Sequence, residues 1–83
     1  NRESGDGRYD IQLKPMKKEL PGILIELKAE KNCSDEKLKK LSETALQQIN
    51  DKKYETELTT AGVRTIYKYG VAFSGKKVEV AVG

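Results

Sequence analysis

Apolar and polar residues alternate over residues 8–14, RYDIQLK. Tyr9, Ile11 and Leu13 share one side, and Arg8, Asp10, Gln12 and Lys14 the other. Period two over this length predicts a half-buried β-strand. Prolines bracket the next segment, PMKKELP over 15–21. Proline cannot donate to a sheet ladder, so 15–21 reads as a connection. Residues 22–30, GILIELKAE, predict a second strand, with Ile23, Ile25 and Leu27 on one face and Leu24, Glu26, Lys28 and Glu30 on the other. The apolar spacing then lengthens to three and four. Leu38, Leu41, Ala45 and Ile49 define a helix face. Ser34 is placed to cap that helix, and Asp35 and Glu36 put negative charge at its positive end. The pattern runs on through Tyr54 and Leu58, with a break expected near residues 51–53 and a stop at Gly62. Residues 63–73, VRTIYKYGVAF, return to β-branched and aromatic content. Gly70 marks an expected bulge there. Ser74-Gly75-Lys76 reads as a turn before a last strand over 77–82, KVEVAV.

The predicted order is β-β-α-β-β. A helix of about twenty residues between the strands at 22–30 and 64–73 suits a right-handed parallel crossover. The flanking pairs read as antiparallel hairpins. The expected fold is therefore α/β, a mixed sheet with helix packed on one face.

Composition narrows the chemistry. Eighty-three residues make one domain at most. Charged residues reach 35% and hydrophobic ones only 36%, so the core is thin. With no histidine, Ser-His-Asp and Cys-His catalysis and histidine-based zinc sites are excluded. The single cysteine, Cys33, rules out an internal disulfide, which favours a reducing cytoplasm. A net charge of +3 permits contact with nucleic acid without indicating it. The first residues, NRESGDG over 1–7, read as a linker, and 8–83 as a domain cut from a longer protein.

One constellation carries chemistry. A connection over 15–21 has its midpoint near residue 18, so paired positions sum to about 36 and Asp10 falls opposite Glu26. Two like charges directly opposite destabilise a sheet unless something sits between them, and a divalent cation such as Mg²⁺ or Mn²⁺ would do so. Lys28 shares the face of Glu26. A metal, paired carboxylates and a lysine make a site for phosphodiester hydrolysis. The acid-x-lysine spacing recurs at Asp35–Lys37 and Asp51–Lys53, within predicted helix, where residues two apart do not share a face. The alternative at residues 26–28 is a solvated strand face with a weak ion pair.

These residues resemble the PD-(D/E)XK nuclease superfamily, specifically the small C-terminal domain of bacterial proteins with an upstream AAA-ATPase-like region. Gly7-Arg8-Tyr9-Asp10 resembles the first motif and Ile25-Glu26-Leu27-Lys28 the second. The helical Ala45-Leu46-Gln47-Gln48-Ile49 with Lys53-Tyr54, and the run from Tyr69 to Val78, are further matches. The resemblance implies a restriction-endonuclease-like fold whose leading core helix is missing. It implies Asp10, Glu26 and the Leu27 carbonyl as metal ligands, Lys28 as the catalytic lysine, and Gln48 on the helix beside the site. It departs from the superfamily's motif at Tyr9, where a proline precedes the aspartate in the name. The implied function is Mg²⁺-dependent cleavage of nucleic acid, with DNA the expected substrate. The alternative is an inactive nuclease-like module that binds nucleic acid or docks with its ATPase-like partner. A third reading is a structural domain whose acid pair is coincidental.

Other residues have simpler roles. Gln48 falls on the apolar helix face, where a polar group needs a partner. Tyr67, Tyr69 and Phe73 share a strand face and read as packing residues ahead of base-stacking ones. Lys14, Lys17 and Lys18 cluster on the hairpin connection, within reach of a phosphate backbone.

Overall fold

A computed structural model describes the backbone of residues 8–15, 17, 19–51 and 54–83, and side chains from residue 11 onward within those ranges. The expected linker over 1–7 lies outside the described residues, as do Lys18 and Lys53. The elements are β1 (Arg8–Leu13), β2 (Gly22–Ala29), α1 (Asp35–Asp51), α2 (Tyr54–Thr60), β3 (Ile66–Ser74) and β4 (Lys77–Val82). They build a four-stranded sheet in the order β1-β2-β3-β4. β1 pairs with β2 and β3 with β4, both antiparallel, while β2 and β3 are parallel. The helical crossover is what permits that parallel pair.

Local chemistry accounts for the boundaries. Ser34 caps α1 by accepting a hydrogen bond from the Lys37 N–H at 3.1 Å. The described helix runs to Asp51 as α1 and from Tyr54 as α2, and the break expected near residues 51–53 falls on positions 52 and 53, which lie outside the described residues. Gly62 ends α2, its N–H donating to the Thr59 carbonyl at 3.0 Å. Gly75 holds the β3–β4 turn at a φ of 60°, a left-handed value that costs glycine nothing. None of the described helices is long and apolar enough to cross a membrane.

Both helices pack on one side of the sheet. Leu24, Ile49, Leu58 and Val63 form one buried cluster there, and Cys33, Leu38 and Ala72 a second. Each fully buried leucine or isoleucine stabilises by about 1.5–3 kcal/mol. This covered side carries the set Leu24, Glu26 and Lys28. The opposite side carries rows that run across the sheet: Leu13–Ile23–Tyr67, Ile11–Ile25–Tyr69–Val82 and Leu27–Val71–Val80. Tyr67 and Phe73, expected as packing residues, stand on this open side and are exposed. The physical reason is that no described helix crosses it.

Gly70 is not a bulge. It pairs in unbroken register with Glu26 and with Ala81. A Cβ at that position would lie 2.2 Å from the Ser42 carbonyl oxygen and 2.4 Å from the Leu46 nitrogen. Only glycine lets the backbone of α1 lie this close to β3.

Candidate functional site

The site grows from the middle of β2. In the β1–β2 ladder position 10 is the partner of Glu26, position 9 of Leu27 and position 8 of Lys28. Directly opposed positions in an antiparallel pair share a face, so position 10 belongs to the covered side with Glu26. The side chains of residues 8–10 lie outside the described residues. Glu26 is only 1% exposed, a carboxylate held in the layer between sheet and helices. The set Gly22, Leu24 and Glu26 is buried because α1 and α2 cover it. A solvated strand face is thus excluded for Glu26. Lys28, two residues on, is half-buried on the same side. The Leu27 side chain points to the open side, and its carbonyl belongs to the backbone joining Glu26 and Lys28.

Gln48 enters from above. On the helical wheel it lies about 160° from Leu46. Leu46 reaches Gly83 beyond β4, where its Cδ1 would stand 2.9 Å from an added Cβ. Gln48 therefore occupies the flank of α1 away from Gly83. Its Oε1 is buried without a hydrogen-bond partner among the described residues. Such an acceptor costs stability unless some group satisfies it.

Lys14 and Lys17 are exposed on the β1–β2 connection. Leu13, at the end of β1, pairs with Ile23. The connection consequently lies about 10 Å along the strand from Glu26, at the end away from Lys28. The structure does not bring these lysines to the acid pair, and Lys18 lies outside the described residues.

The donors suit a hard cation. Glu26, position 10 and the Leu27 carbonyl offer oxygen only, as Mg²⁺ and Mn²⁺ prefer. A cation would offset the charge of a buried carboxylate. Among the described residues no three His, Cys, Asp or Glu side chains gather into a metal-binding group. The candidate set rests on two acids plus one neutral oxygen.

Two groups near the site escaped sequence reasoning. Gly70, beside Glu26 in register, seats α1; its signal was a glycine amid bulky strand residues. Lys68, on the covered side of β3, donates to Asn50 Oδ1 at 3.2 Å and Glu55 Oε1 at 3.0 Å, tying the end of α1 to the start of α2. A lysine between two tyrosines gives no such signal.

Beyond Lys28, the chain leaves β2 through a second polar cluster. The Cys33 thiol donates to Glu30 Oε2 at 3.0 Å, and Lys37 pairs with the same oxygen at 2.9 Å. The thiol hydrogen bond, then that from Lys37, hold the Glu30 carboxyl below its ordinary value. The bond to Glu30, reinforced by burial, pushes the Cys33 thiol up. The Cys33 N–H donates to Ser74 Oγ at 3.0 Å, and Lys77 donates to the Cys33 carbonyl at 2.9 Å. This cluster locks the β2–α1 turn to the β3–β4 hairpin. It is an inert thiol environment.

Comparison with known proteins bears on the assignment. The family model for the PD-(D/E)XK nuclease superfamily matches residues 1–82. No curated protein and no solved structure matches the chain. The mixed four-stranded sheet with its helical crossover accords with a restriction-endonuclease-like fold. The match carries a nuclease-like function, and nucleases of this superfamily typically use divalent metals. Spanning all but the last residue, the match makes this chain a member of the PD-(D/E)XK nuclease superfamily.

Proposed function

We propose that the domain hydrolyses phosphodiester bonds in DNA with Mg²⁺ or Mn²⁺ at the centre of the covered sheet face. The observation that carries the reading is the pairing of position 10 with a buried Glu26, with Lys28 following on the same side. Asp10 and Glu26 hold the cation, with the Leu27 carbonyl as a further oxygen. A divalent ion bound there neutralises charge on the phosphate and lowers the pKa of water.

The chain's own residues do the rest. Lys28 places a positive charge beside the scissile phosphate, where negative charge builds in the transition state. Gln48 offers a buried acceptor that orients a water for in-line attack. One P–O bond forms to the water oxygen, the bond to the leaving oxygen breaks, and the water proton passes to solvent. The packed layer around Glu26 excludes bulk water, which strengthens each of these electrostatic effects. Lys14 and Lys17 extend positive charge along the hairpin and hold a flanking stretch of backbone. As the resemblance implies, an upstream AAA-ATPase-like region is the partner in the same chain.

The test is cleavage of end-labelled DNA and RNA with Mg²⁺ present or chelated, comparing the chain with Lys28→Ala. Metal-dependent DNA cleavage that Lys28→Ala removes supports the reading. Cleavage unchanged by the substitution contradicts the role of Lys28.

A further inference from the structure

We propose that the DNA strand lies along β1, in a groove between that strand and α1, where Lys37 on α1 holds a phosphate beyond Lys28. The inference rests on the nuclease reading, to which it adds the path of the substrate and a positioning residue. The first observation is where the helical layer ends. Leu24 on β2 is 1% exposed, whereas Gln12, its register partner on β1, is exposed. Opposed positions share a face, so both stand on the helix side, one strand spacing of about 4.8 Å apart. The helices therefore cover β2 and leave β1 bare on that side. Gln12 belongs to the floor of the resulting groove, and so does position 10, the partner of Glu26.

The second observation is which flank of α1 walls this groove. Lys77, at the start of β4, pairs with Asp35 at 3.0 Å, and Glu30, just past β2, pairs with Lys37 at 2.9 Å. β2 and β4 lie on opposite sides of β3, so the flank bearing Asp35 faces β4 and the flank bearing Lys37 faces β2. Thr44 and Gln48, seven and eleven residues after Lys37, fall within about 20° of it on the helical wheel. The row Lys37, Leu41, Thr44 and Gln48 contains no acid. The acids Asp35, Glu36 and Glu43 lie about 100° or more around the helix from Lys37. A helix with as many acids as lysines over residues 35–44 thus turns its positive charge, and none of these acids, toward the groove.

The third observation is spacing along the strands. Glu30 follows Glu26 by four residues, about 13 Å, with Lys28 midway on the same side. Lys14 leaves β1 at the other end, more than about 10 Å from Glu26. A polyanion laid in the groove meets Lys14 on one side of the acid pair, and Lys28 and then Lys37 on the other. The Lys37 side chain is 65% exposed, so its ammonium, steadied by Glu30, is open to a phosphate oxygen arriving from solvent. Lysine binds such an oxygen as a point charge.

Fluorescence anisotropy with a labelled DNA single strand of about 20 nucleotides, with divalent metal chelated, tests the proposal. Each phosphate contact adds about 0.7 to the slope of log affinity against log salt. Lys37→Gln should lower that slope by about 0.7 and weaken binding about fivefold at about 0.1 M salt. Lys37→Arg keeps the charge and should restore both. Lys39→Gln, an exposed lysine about 160° around the helix from Lys37, should change neither. With Mg²⁺ present, Lys37→Gln should raise KM more than it lowers kcat. Circular dichroism confirms that each variant is folded. Equal slopes for the chain, Lys37→Gln and Lys39→Gln overturn the proposal, and where DNA is still cut the hydrolysis reading survives it. Absence of DNA binding overturns it as well. A slope that depends on Lys37 in a chain that cuts no DNA supports the groove and rejects hydrolysis.

Discussion

Glu26 on β2 stands in register with Gly70 on β3, and the missing side chain of the glycine lets α1 settle beside that carboxylate. An added methyl would meet backbone atoms of Ser42 and Leu46, which cannot move without shifting the helix. Gly70→Ala should therefore cost roughly 3 kcal/mol or more. Gly75→Ala meets nothing within 4 Å and carries only the strain of its left-handed φ, about 1 kcal/mol. Urea unfolding of the two variants side by side measures the difference. Equal, small losses would show that α1 does not lie against β3 as described.

Gln48 presents a trade between stability and function. Its buried Oε1 lacks a partner among the described residues. Gln48→Leu removes the orphaned acceptor at nearly constant volume and should raise metal-free stability by about 1 kcal/mol. The same substitution should weaken DNA cleavage by removing the acceptor that orients the water. Thermal unfolding without Mg²⁺ and a cleavage assay read the two effects. A variant that loses stability without metal would mean that Gln48 is an ordinary satisfied side chain.

Much of this arrangement was legible in the chain. Period two gave the strands, period three to four the helices, and two prolines gave a connection whose midpoint placed Asp10 opposite Glu26, the register observed. What failed to show was tertiary. Alternation marks two faces of β2 without saying which is covered. Both sets are plausible cores, and the one bearing Glu26 and Lys28 is the one beneath the helices. Tyr67 and Phe73 looked like core for the same reason. Gly70 looked like a bulge because its true constraint, a helix backbone above it, comes from residues 42–46, far away in sequence.

The Glu30–Cys33 contact predicts a pH response with a definite sign. Glu30, its pKa depressed chiefly by the Cys33 thiol, contributes stability above the ordinary carboxylate range that is lost as pH falls through its lowered value. Cys33, its pKa raised chiefly by Glu30, contributes stability below the ordinary thiol range that is lost as pH rises through its raised value. Glu30→Gln should flatten the acid limb below about pH 4. It should also move the onset of Cys33 alkylation by iodoacetamide to lower pH. Superimposable alkylation profiles for the two proteins would show that the thiol does not donate to Glu30.

Lys28 is half-buried and sits outside both core clusters, so Lys28→Ala should change unfolding free energy by less than about 1 kcal/mol. If its charge stabilises the phosphate in the transition state, the same change should lower the cleavage rate by about 10²–10³-fold. Metal binding should survive, because the lysine is not a ligand. Single-turnover cleavage and calorimetric Mg²⁺ titration separate the two effects. A variant that cleaves normally, or that loses metal, would remove Lys28 from its assigned role.

The central claim is that Asp10 and Glu26 hold a divalent cation, and a Mn²⁺ titration followed by NMR tests it most directly. Paramagnetic broadening should strike the amides of Asp10, Glu26 and Leu27 first, spread next to Lys28 and Gln48, and vanish in Glu26→Gln while that variant stays folded. Broadening that is diffuse over the acidic surface, or that persists unchanged in Glu26→Gln, would contradict the account.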